Sequence, residues 1–399
     1  MEPNAYLQEV TRRLVAFDSV TGQPTDDIMA YLGAELERHG CRVRRQPVRI
    51  RGLDHVNLVA TVGPAAPGGL LLSGHVDVVP FRDQPGWSRD PLELTQSGDR
   101  LYGRGVADMK GFIAQCLATL ATLQPRRLRR PLAFAFTVDE EVGCMGAEAL
   151  APALPELLHP VPLPATAWIG EPTSWARHHA HKGIVQFSVQ VRGQGGHSSL
   201  PDRGVNAIQV AARAIEAIGR LQQQQHAPQE AWRETFPEAP YPTLNVGTVR
   251  GGTAANMIPD ACELTLSYRP LPQGDPLSLY HDIARTLGAL DAQDCAGGPG
   301  RARITVDPRP LVVPGMDCPR DTPLSRALAE ALGKPLAEAA PTGAPYATDG
   351  GWLAPTGMDV MICGPGELDQ AHQPDESLLV TEWRRGPALI RAVVDSLLC

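Results

Sequence analysis

The sequence predicts an α/β protein whose mixed sheet is covered by helices on both faces and is interrupted by a smaller α+β unit. Three observations carry this expectation. Near-continuous apolar runs at 56–62, 70–72 and 132–138 read as strands buried on both faces. Helical periods at 4–18, 26–39 and 111–123 surround them, the rhythm of an α/β domain. Near residue 183 the character changes. Ile184–Val191 (I-V-Q-F-S-V-Q-V) alternates like a half-exposed strand of an antiparallel sheet.

Taken in order, the second helix stops at Gly40, placed as its C′ glycine. After 184–191 comes a helix at 205–220, with Ile208, Ala212, Ile215 and Ile218 as its buried side. Strands near 243–250 and 261–269, a helix at 276–290 and a strand at 302–307 complete a small unit with two helices on one sheet face. The α/β rhythm then returns with a helix at 322–332, a strand at 358–363 and a final helix at 377–397. The expected division is therefore 1–182, 183–312 and 313–399, the outer two segments forming one domain. No internal repeat is present. The basic run Arg126–Arg130 reads as a solvated loop ahead of a strand.

At 399 residues, two domains are the prior, and 43% apolar with 20% charged residues is ordinary globular composition. Aromatics are only 5%, too few for stacking platforms on single-stranded nucleic acid. The formal charge of −8, from 36 basic and 44 acidic residues, suits a polyanionic partner poorly. No nucleic-acid partner is expected. Eight cysteines (41, 116, 144, 262, 295, 318, 363 and 399) form no C-x-x-C pair and read as reduced thiols. The opening MEPNAYLQEVTRRLVAF carries charges where a secretory segment needs an apolar run. No stretch approaches the ~20 apolar residues of a membrane span. A cytoplasmic protein with no membrane partner is the expectation.

Ionisable residues gather just beyond the apolar runs, where open α/β sheets form their sites. In LLLSGHVDVVP, His75 and Asp77 stand two apart on an extended segment and so share a face. That spacing suits a metal-ligating imidazole whose other ring nitrogen is held by the carboxylate, although a strand end with a surface His and Asp looks the same. In GRGVADMKG, glycines around Asp108 allow an irregular backbone that presents one carboxylate; a glycine-rich turn with a capping Asp is the plainer alternative. It is not a phosphate cradle, since Asp108 occupies the last position of the would-be G-x-G-x-x-G. In AFAFTVDEEVGCMG, Asp139, Glu140 and Glu141 follow a buried strand, and three adjacent carboxylates repel unless a cation or proton compensates. One of the two glutamates can ligate while the other faces the reacting water as general base. WIGEPT adds Glu171 and CGPGELDQAHQPDE adds His372. Together these residues form a ligand inventory for two divalent cations sharing a carboxylate, and the donor types favour zinc, cobalt or manganese over magnesium. His197, in a Gly-Gly/Ser-Ser loop of the inserted unit, is either a capping residue or a donor to an oxyanion.

With these segments collected, the chain resembles the M20 family of metallopeptidases and deacylases. SGHVDVVP, GRGVADMKG, TVDEEVGCMGA, GEPT, HKG, GGHSSLPDRGVNA, GGTAANMIPD, RPLP and GPGELDQAHQPDE follow in the family's order over nearly the whole chain. LVAFDSV, GEPT-x9-HKG and the closing GPG-x5-AHQPDE are most similar to its acetylornithine deacetylase branch. The resemblance implies a catalytic domain split by a ferredoxin-like lid and dimerisation domain. It also implies a linear-amide hydrolase with two divalent ions, most simply zinc, acting on an N-acyl amino acid in arginine biosynthesis. His75, Asp108 and Glu171 would hold one ion, and Asp108, Glu141 and His372 the other. Asp77 would support His75, Glu140 would be the base, and His197 would reach a partner subunit's site in a homodimer. Arg269, Asn256 and Lys182 match positions that meet the substrate's α-carboxylate, with Gly350 counted among the substrate-binding positions. One segment departs. Ala347-Thr348-Asp349-Gly350 leans towards the Ser-Asp-Gly of succinyl-diaminopimelate desuccinylases rather than the Thr-Glu-Ala-Gly of the deacetylases. The rivals are accordingly a desuccinylase, an N-acetylcitrulline deacetylase, an aminoacylase or a carboxypeptidase on the same scaffold, or a metal-binding scaffold without activity.

Overall fold

Every residue of Leu70–His75, Leu132–Thr137 and Thr166–Ile169 is buried, so both faces of the central sheet are covered. These strands belong to a computed structural model that describes residues 3–294, 302–334 and 342–399. Two compact units divide the chain: Met1–Ala180, Asp317–Thr342 and Thr348–Cys399 form one, His181–Met316 and Gly343–Ala347 the other. The inserted unit thus begins at His181 where periodicity places 183, and runs to Met316 where periodicity places 312. The short return Gly343–Ala347, which no periodicity marks, also belongs to it.

In the first unit the strand order runs Arg42–Ile50, Leu53–Val62, Leu132–Thr137, Leu70–His75, Thr166–Ile169, Asp359–Ile362. The first two form an antiparallel hairpin through Arg51 and Gly52, both with positive φ (49° and 86°), as a two-residue hairpin turn requires. The strand Arg42–Ile50 (RVRRQPVRI) is not foreseen in the sequence. It lies at the sheet edge, where arginines and Pro47 discourage pairing with another chain and disguise the strand pattern. From Leu132–Thr137 to Asp359–Ile362 the neighbours are parallel, and His178–His181 then pairs with Asp359–Ile362 antiparallel, so the sheet is mixed. Helices Lys110–Thr122 and Val380–Leu398 pack on Leu70–His75, and Met145–Leu158 packs on the outer strands. Asp26–Arg38 ends as expected at Gly40 (φ 84°). Gly40 N–H reaches Glu37 O and Cys41 N–H reaches Leu36 O, the paired bonds of a Schellman motif. Arg126 and Arg127 are exposed and Leu128 is buried beneath them.

The second unit has an antiparallel sheet in the order Thr243–Gly251, Ala261–Arg269, Ile184–Arg192, Arg303–Val306, with Leu311–Val313 also on Ile184–Arg192. Burial alternates along Ile184–Arg192 and Ala261–Arg269, so a single face is covered. Helices Ala207–Gln225 and Ser278–Asp294 cover it, and Phe187, Val189, Leu264, Leu266, Ile283 and Leu287 lie in the shared core. The phase of the first helix corrects the sequence expectation. Its buried side is Ala207, Val210, Ala211, Ala214, Ala217 and Ile218, while Ile208 is 40% exposed and Ala212 is exposed. Asn206 sets this phase by capping Ile208 N–H and Gln209 N–H at 2.9 and 3.2 Å, and alanines then bring helix and sheet close together.

The seven described cysteines are all unpaired; Cys295 lies outside the described residues. Among the described residues, no helix is long and apolar enough to cross a membrane.

Candidate metal centre

Four of the strands that build the first unit deliver their next residues to one place. Leu70–His75, Leu132–Thr137, Thr166–Ile169 and Asp359–Ile362 run parallel, so their C-terminal ends open on the same side. His75 ends the first strand, Asp139–Glu141 follow the second, Glu171 follows the third, and His372 lies in the loop beyond the fourth. Asp108 precedes helix Lys110–Thr122. Each acid stands where the main chain leaves an apolar strand or enters a helix, so its carboxylate can be buried at a chain end without interrupting a sheet ladder.

Asp108 divides its two oxygens. Oδ1 is 3.1 Å from His75 Nε2, and Glu171 Oε1 lies 3.9 Å from the same nitrogen. Oδ2 is 3.3 Å from His372 Nε2, which is 3.0 Å from Glu141 Oε2. Ligand atoms of His75, Asp108 and Glu141 all lie within 4.8 Å of one another. His75 is 1% exposed at its side chain and His372 51%, so the His372 side is the solvent-facing one. Glu171 Oε1 is buried with no hydrogen-bond partner, as an oxygen awaiting a cation would be. The donor set fits divalent cations.

The charges of this cluster compensate only through protons. Burial alone would raise Asp108, but hydrogen bonds from His372 and His75 hold it well below the usual carboxylate range. Burial pulls His75 down, yet the bond to Asp108 and the charges of Glu171 and Glu140 lift it above its ordinary value. Bonds to Asp108 and Glu141 push His372 up to about 10. Burial, with neighbouring carboxylates, raises Glu140 and Glu171 and brings Glu141 to about 7. Proton uptake and cation binding therefore compete at these side chains.

Asp77 acts differently from the expectation. His75 Nδ1 meets the Asp77 main-chain carbonyl at 3.0 Å, whereas the Asp77 carboxylate is 3.7 Å away. The chain turns at the strand end, and that turn brings the carbonyl, not the side chain, under the ring. The carboxylate instead accepts Glu140 N–H and Glu141 N–H, both at 3.2 Å, and the Thr21 hydroxyl at 2.9 Å. It anchors the loop that carries both glutamates. Asp139, ahead of them, sits at φ 58°, a left-handed position that swings the two side chains apart. Behind Glu140 lies a second cluster. Cys144 Sγ is 3.5 Å from Glu140 Oε1, and Asp349 is held by the Thr137 hydroxyl at 2.5 Å. Burial raises Asp349 to about 6. Gly350 is buried beside it, with its N–H on the Thr348 hydroxyl at 3.0 Å.

The remaining expected residues lie in the second unit. His197 is exposed and paired in register with Met257, while Ser198 N–H meets Asn256 O at 3.1 Å, so His197 and Asn256 share one small ribbon. Ser199 N–H donates to His197 Nδ1 at 3.2 Å. The Ser199 hydroxyl lies 2.7 Å from the same nitrogen. Arg269 ends the strand Ala261–Arg269 and is half-buried. Lys182 Nζ already donates to Ala239 O at 2.6 Å and Tyr241 O at 2.8 Å, leaving one N–H for anything else.

The chain is similar to known proteins in sequence and in fold. The chain is 39% identical to a protein named acetylornithine deacetylase from Edwardsiella ictaluri, over 92% of this chain and 90% of that one. A metallo-carboxypeptidase of the M20 family from Sulfolobus solfataricus shares the fold, with a TM-score of 0.77 at 18% identity over 98% of both chains. A dinuclear metal-binding peptidase of that family from Bacillus subtilis does so at TM-score 0.66 and 15% identity, over 99% of this chain and 98% of that one. The profile of peptidase family M20/M25/M40 matches residues 71–396, a span that contains every residue brought together above except Thr21. The chain belongs to that family of metal-dependent amide hydrolases.

Proposed function

We propose that this protein removes the acetyl group from N2-acetylornithine, releasing ornithine and acetate, as a cytoplasmic enzyme of arginine biosynthesis. The observation that carries a two-cation hydrolase is the division of Asp108 between the His75–Glu171 and His372–Glu141 pairs. In this reading His75, Asp108 and Glu171 hold one divalent ion, and Asp108, Glu141 and His372 hold the other. When bound, the ions supply Lewis acidity that makes water nucleophilic at neutral pH and polarises the amide carbonyl; mixed imidazole and carboxylate donors favour zinc, then cobalt or manganese. The similarity to the Edwardsiella ictaluri protein supports the choice of substrate.

The chain's own residues supply the rest. Glu140 takes the proton of the attacking water and passes it to the departing amine nitrogen. Burial and the charge of Glu171 raise its carboxyl above the ordinary value, which makes the carboxylate a stronger proton acceptor. Asp77 keeps the Glu140 and Glu141 main chain in place, so the base does not collapse onto the ligand beside it. In the homodimer, His197 would donate to the oxyanion developing in the partner subunit's site; Arg269 would pair with the α-carboxylate, and Asn256 would add a further donor. Gly350 and the remaining Lys182 N–H stand as weaker substrate contacts. A homodimer through the inserted unit is supported by its edge strand Thr243–Gly251, whose outer half is exposed, and by Val249 at 53% and Ile208 at 40% exposure.

The deciding experiment compares acetate or amine release from N-acetylornithine, N-acetylcitrulline, N-succinyl-diaminopimelate and a dipeptide, before and after chelation. The fastest turnover should be metal-dependent and on N-acetylornithine. Preference for the succinyl compound would instead follow the Thr348-Asp349-Gly350 departure, and no turnover on any of them would indicate a metal-binding scaffold. His197→Ala should lower kcat by about 100-fold with unchanged metal content. Unaltered activity would remove His197 from the mechanism. Metal affinity should also rise with pH. Glu141, at about 7 instead of its ordinary 4.5, and His372, at about 10 instead of 6.5, each carry a proton below those values that a ligand must lose. Calorimetry in buffers of different ionisation enthalpy should therefore show proton release on metal uptake between pH 6 and 8. A pH-independent affinity without proton release would contradict the ligand set.

A further inference from the structure

Glu376 closes the segment AHQPDE, is only 1% exposed, and takes no part in the chemistry above. Four donors converge on its carboxylate. Oε1 accepts Ala107 N–H at 2.9 Å and Asp108 N–H at 3.1 Å, and Oε2 accepts Gly105 N–H at 3.0 Å and Arg104 Nη1 at 2.9 Å. Main-chain N–H groups aimed at one anion form a nest, here filled by the protein's own side chain. Gly105 is required in it. Its φ is 81°, and a Cβ there would meet Val78 Cγ1 at 2.7 Å. The main chain of Asp108 is thereby tied to Glu376.

The same ion pair reaches the opposite ligand. Arg104 Nη2 donates to Gln84 Oε1, and Gln84 Nε2 donates to the His372 carbonyl at 2.7 Å. Trp87 supports this middle step, its ring 4.9 Å from the Arg104 guanidinium and its Nε1–H 3.3 Å from Gln84 Oε1. His372 sits at φ 62°, and its imidazole is half-exposed. An unbroken series of hydrogen bonds thus runs from Asp108 N–H through Glu376, Arg104 and Gln84 to His372 O.

We propose that Glu376, Arg104 and Gln84 are positioning residues: a brace that sets the spacing between Asp108 and His372, and with it the affinity for the one cation those two share. This rests on the two-cation reading above. The His75–Glu171 side depends on Asp108 alone, so the brace acts unequally on the two ions.

Removing Glu376 strands a buried guanidinium, which is costly to the fold, so the test starts at half-buried Gln84. Gln84→Met keeps the length of the side chain and loses its hydrogen bonds to Arg104, Trp87 and His372. Gln84→Glu keeps an acceptor for Arg104 and loses only the donation to His372. Both variants and the unmutated protein are stripped of metal and titrated with Co(II), reading visible absorption, ions bound per chain and the unfolding temperature of the metal-free form. The unmutated chain should bind two ions. Both variants should hold the first within about 2-fold and the second 10–100-fold more weakly, the range for lost outer-sphere partners, with altered bands for the second ion alone. Glu376→Gln, where it folds, should do the same. Two ions held with unchanged affinity and bands in the Gln84 variants would overturn the brace. So would equal weakening of both ions together with a lowered unfolding temperature, the sign of general packing damage. An unmutated chain that binds fewer than two ions defeats the two-cation reading itself and takes the brace with it.

Discussion

Glu140→Gln should retain both ions and lose about 10²–10⁴-fold in kcat, the usual contribution of a positioned general base. The amide matches the carboxylate in size and keeps the main-chain bond from Glu140 N–H to Asp77, so the loop stays in place. What disappears is an oxygen able to take a proton from water and return it to nitrogen. KM should change little, because the substrate's binding groups are elsewhere. Steady-state kinetics beside metal analysis on the same sample separates the effects. Activity within a few-fold of normal would disqualify Glu140 as base, and loss of metal would make it a ligand.

His372→Ala should lower the metal count from two ions per chain to one and reduce kcat by about 10³-fold, since one Lewis-acidic ion is worth several kcal/mol in the transition state. His372 touches only Asp108 Oδ2 and Glu141 Oε2 of the acidic cluster, while His75 Nε2 faces Asp108 Oδ1 on one side and Glu171 Oε1 on the other. The second group should keep its ion. With half its side chain in water, His372 contributes little to the core, and thermal unfolding of the metal-free protein should shift by only a few degrees. A metal count still at two would remove His372 from the ligand set.

The acids and imidazoles of the centre were legible because a parallel strand buried on both faces must be apolar. Against AFAFTV the following Asp-Glu-Glu stands out, and against LLLSG so does His75. The edge strand Arg42–Ile50 hid for the opposite reason, since an edge protects itself with charge and so loses the pattern that marks a strand. Helix Ala207–Gln225 was found with the wrong buried side, because the larger isoleucines outweighed alanines that pack closest. Asp77 was expected to act through its side chain, and only the turn after His75 shows the carbonyl nearer. The brace was invisible for a reason of distance. Arg104 and Glu376 are 272 positions apart, and no local spacing announces a pair joined only by the fold. Glu376 was within reach of the sequence only as an unassigned acid in a segment noted for its histidine.

Two-cation hydrolysis requires Asp108 to be shared between the ions, and diffraction from crystals grown with zinc, recorded at the zinc absorption edge, tests that most directly. Two anomalous peaks are predicted: one bounded by His75, Asp108 and Glu171, the other by Asp108, Glu141 and His372. A single peak, or one seated instead among Glu140, Cys144 and Asp349, would contradict it.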